Sequence, residues 1–131
     1  MLQVRQGEAK LFDLRFARQG MTFSESVEGT QAYMSPEMLG CKEYTRKTDI
    51  YSLAICLWEL WYGHPVYSKP YYLGPDDFVK SVTGGQTPSC DHPIAMPHSL
   101  QALLFDCWKM HSDKRPEAFK VLKKMQVIEY E

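Results

Sequence analysis

A chain of 131 residues has room for one domain around one sizeable core. Hydrophobic residues at 44% and charged residues at 24% make an ordinary globular composition, which argues against wholesale disorder. The formal net charge of −1 leaves no electrostatic ground for nucleic acid or an anionic membrane as partner, and neither is expected.

Residues 2 to 12, LQVRQGEAKLF, read as two short runs around a Gln6-Gly7 turn, a small β-hairpin. An isolated hairpin is marginal in water, so this one is expected to lean on the rest of the chain. From Asp13 to Tyr33 periodicity disappears. DLRFARQGMTFSESVEGTQAY is polar and reads as one long ordered loop, a length usually kept for function. Ser35-Pro36-Glu37 opens a short helical turn with Pro36 at its first position, and Gly40 ends it.

The stretch TDIYSLAICLWELWYG, Thr48 to Gly63, organises the remainder. Thr48 is placed to cap a helix and Asp49 suits its positive end; Gly63 and Pro65 supply the stop. Ile50, Leu53, Ala54, Ile55, Cys56, Leu57, Trp58, Leu60 and Trp61 point in every direction around it. Such a helix is expected to be buried on all sides. Roughly fifteen residues make a rod of about 22 Å, too short to cross a bilayer.

Beyond a Pro- and Tyr-rich connection, Gly74-Pro75-Asp76-Asp77 begins an amphipathic helix with Phe78, Val79 and Val82 on one side, stopped at Gly84-Gly85. Residues 86 to 98 read as loop. Ser99 is placed to cap LQALLFDCWKM, whose Leu100, Leu103, Leu104, Cys107 and Trp108 form a wide apolar stripe. HSDKR is a turn, and Pro116 opens a last helix with Phe119, Leu122 and Met125 inward and Lys120, Lys123 and Lys124 on its wet face. Trp58, Trp61 and Trp108 are read as core. The fold class is mainly α: a small hairpin, a long loop, then about five helices around a buried central one.

Three stretches in this order, GTQAYMSPEML, TDIYSLAICLWELWYGHPVY and DCWKMHSDKRP, resemble the large helical lobe of a eukaryotic protein kinase domain. The resemblance runs from about Leu2 to about Met125, so residues 1–131 are read as a partial kinase domain with the smaller lobe and catalytic loop absent. It implies that KLFDLRFAR matches the segment around the kinase Asp-Phe-Gly motif. Asp13 is then the carboxylate that chelates the magnesium bridging ATP phosphates, a role suited to a hard-cation ligand. Leu14 and Arg15 depart from the family there, and Arg15 adds charge and bulk where glycine is usual.

Ser35-Pro36-Glu37 resembles the kinase Ala-Pro-Glu motif, which makes Asp13 to Glu37 the activation segment and Arg115 the partner of Glu37. Thr22, Ser24 and Ser26 lie where the family carries activation-loop phosphosites. Gly29-Thr30 resembles the substrate-positioning stretch of serine/threonine-type members, although the central helix leans toward the tyrosine-kinase-like branch. Asp49 resembles the residue that holds the catalytic-loop backbone, and Ala54 stands where glycine is usual.

The sequence contains no Gly-rich loop with the required spacing, no Val-Ala-Ile-Lys-like strand and no His-Arg-Asp loop. The expectation is therefore a fragment that does not catalyse, with ATP and magnesium serving the complete parent domain and no cofactor for the fragment alone. A truncated kinase and a non-catalytic pseudokinase-like interaction module are the two readings. Both imply a protein substrate or partner and an exposed apolar face where the missing half would dock. Cys41, Cys56, Cys90 and Cys107 form no Cys-x-x-Cys pair, and MLQVRQGEAK has no apolar run of signal-peptide length. A reduced compartment is expected, the cytoplasm with the nucleus as alternative. Cys90, His92 and His98 have no standard zinc spacing and are read as a plain Pro-rich loop.

Overall fold

In the computed structural model the chain is described at residues 2–20, 22–23, 30–67 and 74–128. Strands β1 (Leu2–Arg5) and β2 (Glu8–Leu11) pair antiparallel, Val4 opposite Ala9, across a turn in which Gln6 and Gly7 both take positive φ. That is the backbone a two-residue hairpin turn requires. The hairpin does not lean on the helices as expected. Residues 4 to 20 are all exposed, with Leu11 at 78% and Leu14 at 72%. Its alternating pattern is too short to supply an apolar face of its own.

The long segment that follows is not all loop. β3 (Thr22–Phe23) pairs antiparallel with β4 (Glu43–Tyr44), and Gln31–Tyr33 form a 3-10 turn. Between them α1 (Pro36–Leu39) starts with proline, as its missing N–H permits, and ends at Gly40.

Helix α2 (Lys47–Tyr62) is the spine of the main core. It begins one residue before Thr48, so Thr48 is not its cap. The Thr48 side chain turns aside to Ser35 and Glu37. Gly63 ends the helix in the left-handed conformation at φ 74, where a Cβ is disfavoured. Ile50, Tyr51, Ala54, Ile55, Trp58 and Tyr62 are buried, a stripe at spacings of three and four. The helix is not buried all round. Leu53, Leu60 and Trp61 are 37%, 67% and 39% exposed, because the other described helices cover one side only.

That covering comes from α4 (His98–Cys107), through Leu100, Leu103, Leu104 and Cys107, and from Val121 of α5 (Ala118–Ile128). Trp108, just past the end of α4, fills the same core. α4 starts at His98, which puts Ser99 inside the helix and not at its cap. α5 starts two residues after Pro116 and buries Val121, with Met125 and Ile128 partly covered beside it. Phe119 and Leu122 face solvent instead, at 57% and 60% exposure. Met125 packs inward as expected, while Val121 and Ile128 take the inward places expected for Phe119 and Leu122. A second, smaller core joins α1 to α3 (Pro75–Thr83) through Met34, Leu39, Phe78 and Val82. Tyr67 packs against both cores. Among the described residues no helix is long and apolar enough to cross a membrane.

Candidate functional site

The most heavily bonded group among the described residues is Arg115, whose side chain is completely shielded from solvent. A guanidinium carries five N–H donors, and each has an acceptor here. Nε donates to the Lys109 carbonyl at 2.8 Å. Nη1 donates to Glu37 Oε1 at 2.7 Å and to the Lys47 carbonyl at 3.1 Å. Nη2 donates to Glu37 Oε2 at 2.9 Å and to the Met110 carbonyl at 3.3 Å. The guanidinium carbon lies 5.1 Å from the centre of the Tyr51 ring, adding a cation–π contact. One side chain thus ties α1, the start of α2 and the turn after α4 to a single point.

Glu37 is correspondingly constrained. Burial pulls its carboxyl up, and the Arg115 fork outweighs that pull, so the group is held below the usual glutamate range. Thr48 donates its hydroxyl to Glu37 Oε1 at 3.2 Å, which leaves the fully buried Ser35 hydroxyl to donate to Thr48. Ser35 stands where the resemblance has alanine, and Thr48 gives its extra polar atom a place. The Lys47 ammonium completes the node by bonding the Arg115 carbonyl and pairing with Glu117 at 3.1 Å.

A second node fixes the approach to Thr30. Tyr33 donates its phenol to Glu59 Oε2 at 2.8 Å, and Ser52 donates to the Tyr33 carbonyl at 2.6 Å. Glu59 Oε1 accepts the Val66 N–H at 3.0 Å. The Glu59 carboxylate pushes the Tyr33 phenol up to about 12. The polar interruption in the apolar α2 is therefore the anchor of both flanking loops. Thr30 is exposed just before the 3-10 turn, its carbonyl accepting the Tyr33 N–H at 3.2 Å. Gly29, Ser24 and Ser26 lie outside the described residues; Thr22 is placed by its backbone in β3.

The Asp13 carboxylate is engaged at both oxygens by one cation. Arg15 Nε reaches Oδ1 at 2.6 Å and Arg15 Nη2 reaches Oδ2 at 2.7 Å. Asp13 takes φ 64, and this fork lowers its carboxyl from the ordinary value. Magnesium demands a near-octahedral set of oxygens. Both Asp13 oxygens are shared with a guanidinium whose positive charge opposes a second cation, so this carboxylate as placed does not fit that ion. Asp49 is exposed in the first turn of α2, where flanking protein withdraws enough water to push its carboxyl up.

Cys90, His92 and His98 are not brought together as a metal cluster among the described residues. His92 meets His64 instead. Of the tryptophans, Trp58 and Trp108 are core, whereas Trp61 is half-exposed with its Nε1 donating to the Ala95 carbonyl at 3.3 Å. Trp58 Nε1 donates to the Ser89 carbonyl at 2.9 Å, holding the loop before α4 on α2. Sequence reasoning missed Ser35, Lys47, Thr48, Ser52 and Glu59 as holding residues. For Ser52 and Glu59 the available signal was a polar side chain set within an otherwise apolar run; Ser35, Lys47 and Thr48 carried no such signal.

Comparison with known proteins supplies the context for this geometry. The family description "Protein kinase domain" matches residues 1–126. The chain is 34% identical over 121 residues to leucine-rich repeat serine/threonine-protein kinase 1 of Mus musculus, covering 89% of this chain and 6% of that protein. It is 32% identical over 112 residues to stress-activated protein kinase alpha of Dictyostelium discoideum, covering 80% of this chain and 17% of the relative. It is 29% identical over 121 residues to mitogen-activated protein kinase kinase kinase 10 of Homo sapiens, covering 92% and 12%. The chain therefore spans less than a fifth of the length of these relatives. With the family description matched across nearly all of its length, and its helices built as the large lobe of that domain, the chain belongs to the protein kinase domain family.

Proposed function

We propose that this chain supplies the substrate-side helical lobe of a protein kinase domain, whose complete form passes phosphate from ATP to serine or threonine hydroxyls of proteins, with tyrosine as the secondary acceptor. The observation that carries this reading is the buried two-pronged Glu37–Arg115 pair, which fixes the Ser35–Leu39 segment on α2 in a defined pose. Glu37, Arg115 and Asp49 are its structural residues, Gly29 and Thr30 its substrate-positioning stretch, and Thr22, Ser24 and Ser26 its sites of phosphorylation. The relative named as a leucine-rich repeat serine/threonine-protein kinase supports the acceptor class. Four free thiols support a reducing compartment, the cytoplasm.

The 131 residues by themselves are inert in phosphoryl transfer. They contain no phosphate-anchoring lysine and no His-Arg-Asp base, the groups that position and stabilise the reaction. ATP and magnesium belong to the complete domain, and Asp13 in its fork with Arg15 contributes nothing to their binding here. A second reading, a non-catalytic interaction module, is favoured by that same fork and by the exposed Leu53, Leu60 and Trp61 on α2, a face suited to a protein partner.

The test has two parts. The purified chain is heated with and without magnesium-ATP, where a saturable rise in melting temperature would refute the absence of a nucleotide site. It is then mixed with a relative's segment carrying the Gly-rich loop, lysine and His-Arg-Asp loop. Recovered transfer of labelled phosphate to a protein hydroxyl supports the catalytic-lobe reading; a stable complex without transfer supports the module.

A further inference from the structure

His64 follows the end of α2, and His92 lies in the loop between α3 and α4, far apart in sequence. Their Nε2 atoms are 3.1 Å apart. Two zinc–imidazole bonds at the usual length and a near-tetrahedral angle span about 3.3 Å, so the two nitrogens already stand at the separation of two ligands on one ion. The rings are held in place. His64 Nδ1 lies 3.0 Å from the Pro65 carbonyl and its ring stands edge-on to Trp58, centroids 5.1 Å apart. His92 rests 4.2 Å from the centroid of Tyr62. A metal-binding imidazole characteristically donates its second N–H to a backbone carbonyl, which is the contact His64 makes with Pro65.

We propose that His64 and His92 form a chelating pair for a late first-row divalent cation such as Cu2+, Ni2+ or Zn2+, with water completing its coordination. Imidazole nitrogens select this group of ions over magnesium or calcium. His64 is exposed and His92 half-buried, so the site is open to solvent and the ion exchangeable. Asp91 precedes His92 in the same loop and adds a negative charge to that segment. Two protein ligands are fewer than a structural zinc site uses, and the described residues gather no third. The site is a clip and not a folding centre.

The protons can be followed. Ile94 N–H donates to His92 Nδ1 at 3.1 Å, so in the metal-free chain His92 Nε2 carries the proton and donates it to His64 Nε2. The His64 proton is then on Nδ1, toward Pro65. Binding an ion at both Nε2 atoms moves the His92 proton to Nδ1 and releases the Ile94 N–H to water. No net proton is lost, and two hydrogen bonds, the one between the rings and the one from Ile94, are exchanged for two metal bonds. The ion would tie the exit of α2 to the loop that Trp58 and Tyr62 already hold at Ser89 and Cys90.

The chain contains four histidines, and His98 and His111 serve as internal controls. Substoichiometric Cu2+ is titrated into the full chain while the four imidazole proton signals are followed by NMR. Broadening of His64 and His92 ahead of His98 and His111, with a one-to-one saturable Zn2+ titration lost in His64→Gln and in His92→Gln, is the expected result. Simultaneous broadening of all four rings, broadening led by His98 or His111, or no saturable binding would overturn the proposal. The NMR ordering is read on the unsubstituted chain, so it decides the matter even if a variant folds poorly.

Discussion

Replacing Arg115 by alanine tests the central node most directly. The substitution removes the only described partner cation of a glutamate whose side chain is 11% exposed, and it strips three backbone carbonyls of a donor. Breaking a buried pair from one side costs about 3–5 kcal/mol, chiefly because the remaining charge is stranded. Domains have a total stability of about 5–15 kcal/mol, so the variant should lose a large fraction of it. Urea denaturation followed by tryptophan fluorescence and circular dichroism reads the change. With a slope of about 1–3 kcal/mol per molar, the midpoint should fall by roughly 1–5 M.

Arg115→Lys should recover only part of the loss, since an ammonium has three donors and no fork. In a double-mutant cycle with Glu37→Gln, the two changes together should cost well under their sum. Additive losses, or an Arg115→Ala chain within about 1 kcal/mol of the parent, would refute the account of a stranded carboxylate.

The remaining expectations are quicker to check. Because the folded Glu37 titrates below its unfolded value, its contribution is fully present above the ordinary glutamate range. It is lost as pH falls through the depressed folded value, so acid should destabilise the parent more than Glu37→Gln. Ile55→Ala, at a buried position, should cost about 2–5 kcal/mol, while Leu60→Ala on the exposed side of the same helix should stay within about 0.5 kcal/mol; equal losses would place the wrong face inward. Gly63→Ala should lose about 1–2 kcal/mol, because φ 74 disfavours a Cβ even though open space surrounds it. Ultraviolet titration of the phenols should show one component near 12 that disappears in Tyr33→Phe.

Much of the architecture is legible from residues alone, for physical reasons that are local. Gly63 and Pro65 stop α2, Pro36 starts α1, Pro75 starts α3, and a Gln6-Gly7 pair turns the hairpin, because each choice limits the backbone without reference to distant atoms. The order of the apolar and Ser-Pro-Glu stretches also suffices to suggest the family. Caps were harder. Thr48 and Ser99 carry the right chemistry for an N-cap, but the hydroxyl of Thr48 is drawn to Glu37, a partner close only in the folded chain.

Which side of a helix faces inward is likewise a tertiary decision. α2 is apolar around its whole circumference, so periodicity cannot choose between Ile55 and Leu60; the positions of α4 and Val121 choose. α5 offers Phe119 and Leu122 as readily as Val121 and Met125, and its angle against the core selects the latter. The candidate site divides in the same way. Sequence alone determined that Glu37 and Arg115 are an available acid and base, and that Arg15 follows close on Asp13. Only the folded chain decided that Arg115 would spend all five donors inside the protein, that Glu59 would anchor two loops, and that His64 and His92 would meet. Local backbone preference acts over a few residues, whereas the partners of a buried charge are whatever the packing of distant helices brings within reach.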